Sequence, residues 1–351
     1  VVKKKTDGVT FPEDDNSFSN IEYISTGSIA VDFALGRKGV RCGLPRGLVS
    51  TIWGIEGGGK STFVSSCIRE AQKIGEVAVF DTELRIDPFY MSSMGVDVDA
   101  LTIGQPDYAN GVFGEQLGDS IIELAKSGRY VMIVLDSVAA WVPKNIAEGE
   151  VSEHSPGLHA RMVSKFLMSA VNHLKKTNTA LVFTSQRRAK FGGMSFAGPS
   201  YEISGGNALK FYSSVFARID RLKNITPSST AKEVIGIRSR ITMQKNCGPA
   251  YTWAEFEITD SLGLDKAIEV FELGKPFNIA YSKGAWYYYV DENGEEIRAG
   301  QGRTNAVQFL RDNPDLLESL RNRIAVAMSE RYAPQESDVE GDENVENTES
   351  N

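Results

Sequence analysis

Eight consecutive residues carry the clearest chemistry in this chain: Gly54-Ile55-Glu56-Gly57-Gly58-Gly59-Lys60-Ser61, spaced G-x-x-x-x-G-K-[ST]. Glycines let backbone N–H groups close around an anion, and a helix opening at the same point adds its positive end. Lys60 is placed to reach the β- and γ-phosphates of a nucleoside triphosphate, Ser61 to ligate Mg2+, and Thr62 completes the cradle. A glycine-rich turn that merely precedes Lys-Ser is the alternative; the strand before it and the helix after it favour the phosphate loop. Asp136 ends the apolar run Val131–Leu135, where a carboxylate emerges at the carboxyl edge of a parallel sheet. Alone it reads as a turn or helix cap; paired with a phosphate loop it becomes the candidate metal-holding aspartate. Glu83, just past Phe80-Asp81, reaches the same edge and is suited to orient an attacking water, although a solvated loop glutamate fits the pattern equally.

Those side chains meet only if a sheet delivers them to one edge. Leu48–Trp53, Val77–Phe80, Tyr130–Leu135 and Ala180–Phe183 are short runs rich in β-branched and aromatic residues. Between the first two, Val64, Cys67, Ile68 and Ala71 recur at helical spacing and lay one apolar stripe. The pattern predicts an α/β core with a mostly parallel central sheet covered on both faces. Val215–Leu222, Gly236–Lys245 and Tyr251–Ile258 follow with short connections and predict an antiparallel edge. A helix over Asp265–Leu273, a hairpin built on Gly284–Val290 with a turn at Asn293-Gly294, and a helix over Thr304–Met328 predict a small α+β C-terminal domain. The expected layout is a polar arm over 1–20, the core over 21–260, the C-terminal domain over 261–333 and a disordered acidic tail over 334–351.

Composition narrows the classes. At 351 residues, 41% hydrophobic and 24% charged, the chain fits a two-domain globular protein. No run of about 18 apolar residues is available to span a bilayer, so no membrane partner is expected. The start, Val1-Val2-Lys3-Lys4-Lys5, has no apolar signal region, which makes the cytoplasm the default compartment. Cys42, Cys67 and Cys247 are scattered and read as reduced structural residues rather than a metal knuckle or redox pair. A net charge of −8 argues at first against a polyanion partner, but seven acidic residues and no basic one lie between 335 and 351. The rest of the chain is therefore almost neutral and can hold local basic patches. The tail reads either as an electrostatic gate competing with nucleic acid or as a mere solubiliser.

Ile24-Ser25-Thr26-Gly27-Ser28, the phosphate loop, Asp81-Thr82-Glu83, Leu135-Asp136-Ser137-Val138-Ala139-Ala140, Gln186 and Gly205-Gly206-Asn207-Ala208-Leu209-Lys210-Phe211-Tyr212 stand in the order and spacing of the bacterial RecA recombinases. Gly284-Ala285-Trp286-Tyr287, Gly300-Gln301-Gly302-Arg303-Thr304-Asn305-Ala306 and Asp312-Asn313-Pro314 extend the resemblance over about residues 21 to 330. The resemblance implies a RecA-like P-loop ATPase using ATP and Mg2+. Glu83 then corresponds to the glutamate that activates water, Asp87 and Tyr90 to adenine contacts, and Gln186 to the γ-phosphate sensor. Two loops then hold DNA. The first runs from Glu150 to Leu158, followed by Arg161. The second spans Arg187–Ser204, where Arg187, Arg188 and Lys190 interleave with Phe191, Phe196 and Tyr201, and Gly205-Gly206-Asn207 opens a further helix. Basic groups neutralise phosphates while aromatics stack on or wedge between bases; on pattern alone such a loop also reads as a surface excursion.

The chain departs from the family in places. Members usually carry Lys-Asn-Lys to reach a neighbour's ATP across a filament interface; here Lys245-Asn246-Cys247 keeps one cation, with Arg240 a possible substitute for the other. An aromatic is replaced near Asp260, the second loop is about two residues longer than usual, Pro156 replaces a flexible methionine, and residues 1–20 show no amphipathic docking helix. Such divergence suits a phage-encoded member working in host cytoplasm. The expectation is an ATP-dependent recombinase that self-associates into a helical filament on single-stranded DNA and pairs it with homologous duplex DNA. The rivals are a hexameric helicase-like or branch-migration motor and a hydrolysis-impaired regulatory DNA-binding relative.

Overall fold

The computed structural model describes residues 21–36, 42–149, 157–189, 201–226, 233–246, 252–259 and 263–332. The expected N-terminal arm, the acidic tail, Pro156, Cys247 and Asp260 lie outside them. Strand β1 (Tyr23–Ile24) pairs with β2 (Leu44–Pro45), and helix α1 (Ile29–Leu35) lies between them in sequence. The α1 entry is organised by Asp32, whose carboxylate accepts from Thr26 N at 2.7 Å and from the Thr26 and Ser25 hydroxyls at 2.6 Å each. Ser28 caps the helix by accepting from Val31 N.

The buried strand β3 (Val49–Gly54) feeds the phosphate loop, and α2 (Lys60–Gln72) leaves it. Val64, Cys67, Ile68 and Ala71 are all buried, as their spacing predicts. The chain continues through β4 (Glu76–Asp81), α3 (Pro88–Ser93), β5 (Leu101–Gly104), α4 (Gly114–Ser127), β6 (Tyr130–Asp136), α5 (Lys144–Ala147), α6 (Leu158–Thr177) and β7 (Ala180–Ala189). Next come β8 (Tyr201–Ile203), α7 (Asn207–Tyr212), β9 (Ser213–Ile225), β10 (Gly236–Lys245), β11 (Trp253–Thr259) and β12 (Gly263–Leu264).

The main sheet runs β12-β11-β10-β9-β3-β7-β6-β4-β5, with β8 paired to the end of β7. Neighbours from β9 to β5 are parallel; β9 to β12 form the antiparallel edge. Apolar clusters cover the two faces: one gathers Ile52, Phe63, Cys67 and Val134, the other Ile133, Phe183, Trp141 and Phe166. Each fully buried side chain of this size contributes on the order of 1.5–3 kcal/mol. The carboxyl ends of β3, β4, β6 and β7 therefore meet at one edge, the usual ligand edge of such sheets.

The last part packs α8 (Lys266–Gly274), β13 (Ala280–Lys283), β14 (Trp286–Val290), β15 (Glu296–Gln301), α9 (Arg303–Asp312) and α10 (Pro314–Tyr332) around Phe271, Tyr289 and Leu310. The single helix expected over Thr304–Met328 is two helices. Asn313 precedes a proline and takes a non-helical ψ of 73°, and Pro314 opens α10, since proline disfavours helix at the residue before it. Glu269 of α8 joins this part to the core by accepting from Ser28 Oγ at 2.5 Å, Ala30 N at 2.9 Å and Ile29 N at 3.0 Å. Among the described residues, no helix is long and apolar enough to cross a membrane.

Candidate phosphate-binding site

Gly59 caps α2 with a left-handed φ of 92°, and a Cβ there would meet Ile258 Cδ1 at 2.5 Å. Only glycine satisfies both limits. The loop is also tied down from the antiparallel edge, where Ser239 Oγ of β10 donates to Gly58 O at 3.0 Å. Sequence reading missed this contact, because nothing local marks a serine from a distant strand. Lys60 folds over the loop and donates to Ile55 O at 2.7 Å and Gly54 O at 3.3 Å. Burial lowers its ammonium from the ordinary value, and the carboxylates of Asp136, Glu83 and Glu56 pull it back up.

Asp136 ends β6 as expected and accepts a hydrogen bond from Thr184 Oγ1 of β7. Its carboxyl is raised by burial, lowered by hydrogen bonds from Thr184 and Ser61, and raised again by Glu83 and Asp81. A half-buried carboxylate with two anionic neighbours and a serine hydroxyl beside it fits a divalent cation. Among the described residues no three His, Cys, Asp or Glu side chains converge on a metal position. One hydroxyl and one carboxylate suit Mg2+, which keeps water and phosphate oxygens as its other ligands.

Glu83 is presented by a turn that its neighbours close. Asp81 accepts from Ile86 N at 3.0 Å, Thr82 donates to Ser137 O at 2.6 Å, and Leu84 sits at a φ of 55°, the left-handed region that branched residues avoid. The Glu83 carboxylate accepts from Ser137 Oγ at 2.5 Å and from Gln186 Nε2 at 3.1 Å, both on Oε1. Its other oxygen faces Arg85 Nη1 at 3.5 Å. Ser137, Thr184 and Arg85 were not singled out from the sequence; Thr184 carried a signal, standing two positions before Gln186 on the same strand face.

One cleft takes in Glu56, Gly57, Gly59, Lys60, Ser61 and Thr62 together with Glu83, Asp87, Tyr90, Asp136 and Gln186. Gly54 stays within β3, in register with Gln186, and Ile55 and Gly58 shape the loop behind the cleft. Asp87 caps α3 by accepting from Tyr90 N at 3.1 Å, and Tyr90 Oη lies 3.3 Å from Thr62 Oγ1.

The family model of the RecA N-terminal domain matches residues 3–265, and that of the RecA C-terminal domain matches residues 268–329. Protein RecA of Thermotoga sp. (strain RQ2) is 39% identical over 313 residues, covering 89% of this chain and 84% of that protein. Protein RecA of Roseiflexus castenholzii is 42% identical over 309 residues, 87% and 81% of the two chains. The chain belongs to the RecA family. It is a DNA recombinase of that family. RecA proteins as a family are DNA-dependent ATPases that use ATP with Mg2+ and form filaments on DNA.

The residues expected to meet DNA in this RecA-family chain divide by what the structure describes. Lys190, Phe191, Phe196, residues 150–156 and the side chains of Arg188 and Tyr201 lie outside the described residues. Arg187 is half-buried and pairs across a hairpin with Ile203, so β7 runs on from Gln186 into the second loop. Arg161 is exposed on the first turn of α6. A Cβ on Gly206, whose φ is 71°, would come within 3.0 Å of Ala160 Cβ, so Gly205-Gly206-Asn207 abuts that same turn. The exits of both loops are thus neighbours. Lys245 is not in the cleft; its Nζ donates to Phe211 O at 3.0 Å, near the amino edge of the parallel strands. Arg240 is ion-paired to Glu255 at 2.5 Å and stacked over Trp253.

Proposed function

We propose that this chain hydrolyses ATP in the described cleft, with turnover stimulated by single-stranded DNA, and uses the cycle to pair that strand with homologous duplex DNA in a helical filament. The assignment places the ATPase and DNA-binding core over 21–260 and the smaller domain over 261–333. The α2 amides and Lys60 hold the β- and γ-phosphates, and Asp87 and Tyr90 hold the base. Ser61 and Asp136 would hold Mg2+, which would supply positive charge against the charge that develops on the transferred phosphoryl group. Glu83 orients water in line with the γ-phosphorus and accepts its proton. The new P–O bond forms as the bond to the bridging oxygen breaks, and that oxygen leaves with the electron pair on ADP. Lys245 faces away from its own cleft, as a cation serving a neighbour's ATP must.

One observation carries the reading: Gln186 donates to Glu83 over 3.1 Å at the point where β7 continues into the Arg187–Ile203 hairpin. A change in what Gln186 binds is felt at both the reacting carboxylate and the DNA loop, so nucleotide and DNA affinities are coupled in both directions. ATP turnover measured with and without single-stranded DNA, beside Lys60→Ala and Glu83→Gln, tests it. DNA-stimulated turnover lost in both variants is expected. No stimulation in the unmutated protein would sink the reading, and closed rings with duplex unwinding would move it to a hexameric motor.

A further inference from the structure

The charge balance of the cleft is incomplete for a triphosphate. Five carboxylates line it, those of Glu56, Asp81, Glu83, Asp87 and Asp136, against two cations, Lys60 and Arg85. Lys60 is buried in the floor of the cleft, with two carbonyls already accepting from it. Arg85 differs in every respect. Its side chain is 71% exposed, and its contact to Glu83 Oε2 is a loose 3.5 Å ion pair. An ion pair that long and that exposed is weak, so an anion of higher charge displaces it readily.

The backbone gives Arg85 its aim. Ile86 N donates to Asp81 and Leu84 holds a left-handed φ of 55°, so Glu83 and Arg85 flank Leu84 in one tight turn with their charged ends 3.5 Å apart. Glu83 is fixed by Ser137 and Gln186 on one oxygen, and Arg85 is left with unused donors at the cleft mouth. A guanidinium offers five N–H groups in a planar fork that matches phosphate.

We infer that Arg85 is a further catalytic residue of this site: it exchanges Glu83 for the γ-phosphate of the same chain's ATP and stabilises the charge that develops there. The exchange frees Glu83 Oε2 to take the proton of the attacking water. Lys60 and Arg85 then hold the transferred group from two sides. This rests on the ATPase reading above and adds a residue to it.

The test compares Arg85→Gln and Arg85→Lys with the unmutated chain. Affinities for Mg2+-ADP and for a slowly hydrolysed Mg2+-ATP analogue are measured by displacement of a fluorescent nucleotide, and kcat and KM for ATP are measured on single-stranded DNA. For Arg85→Gln we expect ADP affinity within about twofold, analogue affinity down about tenfold and kcat down about 10- to 1000-fold, with Arg85→Lys recovering part of each loss. Unchanged binding of both nucleotides, or equal loss of both, overturns the assignment and leaves Arg85 a solvated partner of Glu83. The binding ratio is read without turnover: an unmutated protein lacking ATPase activity would defeat the function proposed above and Arg85's catalytic role with it, while selective loss of analogue affinity in Arg85→Gln would still report its contact with the γ-phosphate. An unchanged thermal midpoint in both variants, expected for an exposed side chain, shows that the fold is intact.

Discussion

Gln186 and Glu83, 103 residues apart in sequence, share one hydrogen bond at the carboxyl edge of the main sheet. That bond joins the strand running into the Arg187–Ile203 hairpin to a carboxylate that lines the same cleft as the phosphate loop. Replacing Gln186 by Ala should leave ADP affinity unchanged and reduce the stimulation of turnover by single-stranded DNA about tenfold or more. Steady-state ATPase assays with and without DNA check this, and full stimulation in the variant would refute the coupling.

Gly59→Ala should abolish phosphate binding and destabilise the core. A Cβ 2.5 Å from Ile258 Cδ1 at a φ of 92° requires both backbone strain and displacement of a buried isoleucine. A loss of about 2–4 kcal/mol is expected by urea titration, combining a left-handed penalty with overpacking.

Asp32 should make stability depend on pH in an unusual direction. Burial raises its carboxyl to about 6, although the Ser25 and Thr26 donors oppose the shift and Glu269 adds to it. A carboxyl that binds protons more readily folded than unfolded favours the folded state at low pH. That contribution fades as pH climbs through 6. Between pH 5 and 7.5 the unmutated protein should lose about 1 kcal/mol more than Asp32→Asn, in which the amide can face the rotatable Ser25 hydroxyl. Denaturant titrations at the two pH values measure the difference; identical slopes for the two proteins would contradict it.

Glu70 should act in the opposite sense at lower pH. Burial works to raise it, but Lys73, Lys266 and Arg69 hold it down at about 2. Its stabilisation is complete above about pH 4.5 and is lost as pH falls through 2. Lys266 Nζ lies 3.0 Å from Glu70 Oε1, linking the start of α8 to the helix of the phosphate loop. Glu70→Gln should cost about 1–2 kcal/mol at pH 7 and show a shallower loss between pH 5 and 3 than the unmutated chain, after allowance for solvent screening.

Much of the site was legible because its chemistry is local. The phosphate loop is a run of backbone amides between a strand and a helix, and Asp136 is marked by the apolar run it ends. The buried stripe of α2 follows from spacing alone, since a helix must turn one face to the sheet. Glu83 was ambiguous in the sequence, where a loop carboxylate and a reacting one look alike. The split at Pro314 was read through because the apolar positions on either side continue with helical spacing, while the backbone limit on Asn313 decided the break.

By itself the sequence determined the α/β class, the phosphate loop and the family to which the chain belongs. Each of those rests on contiguous residues whose backbone geometry or periodicity needs no partner. Only the tertiary structure decided that Ser239 ties down Gly58 across 181 residues, that Ser137 and Gln186 converge on one oxygen of Glu83, and that Arg85 stands opposite the other. Strand order sets those meetings, and it is selected by how both faces of the whole sheet are buried together, a property that no local stretch of residues contains.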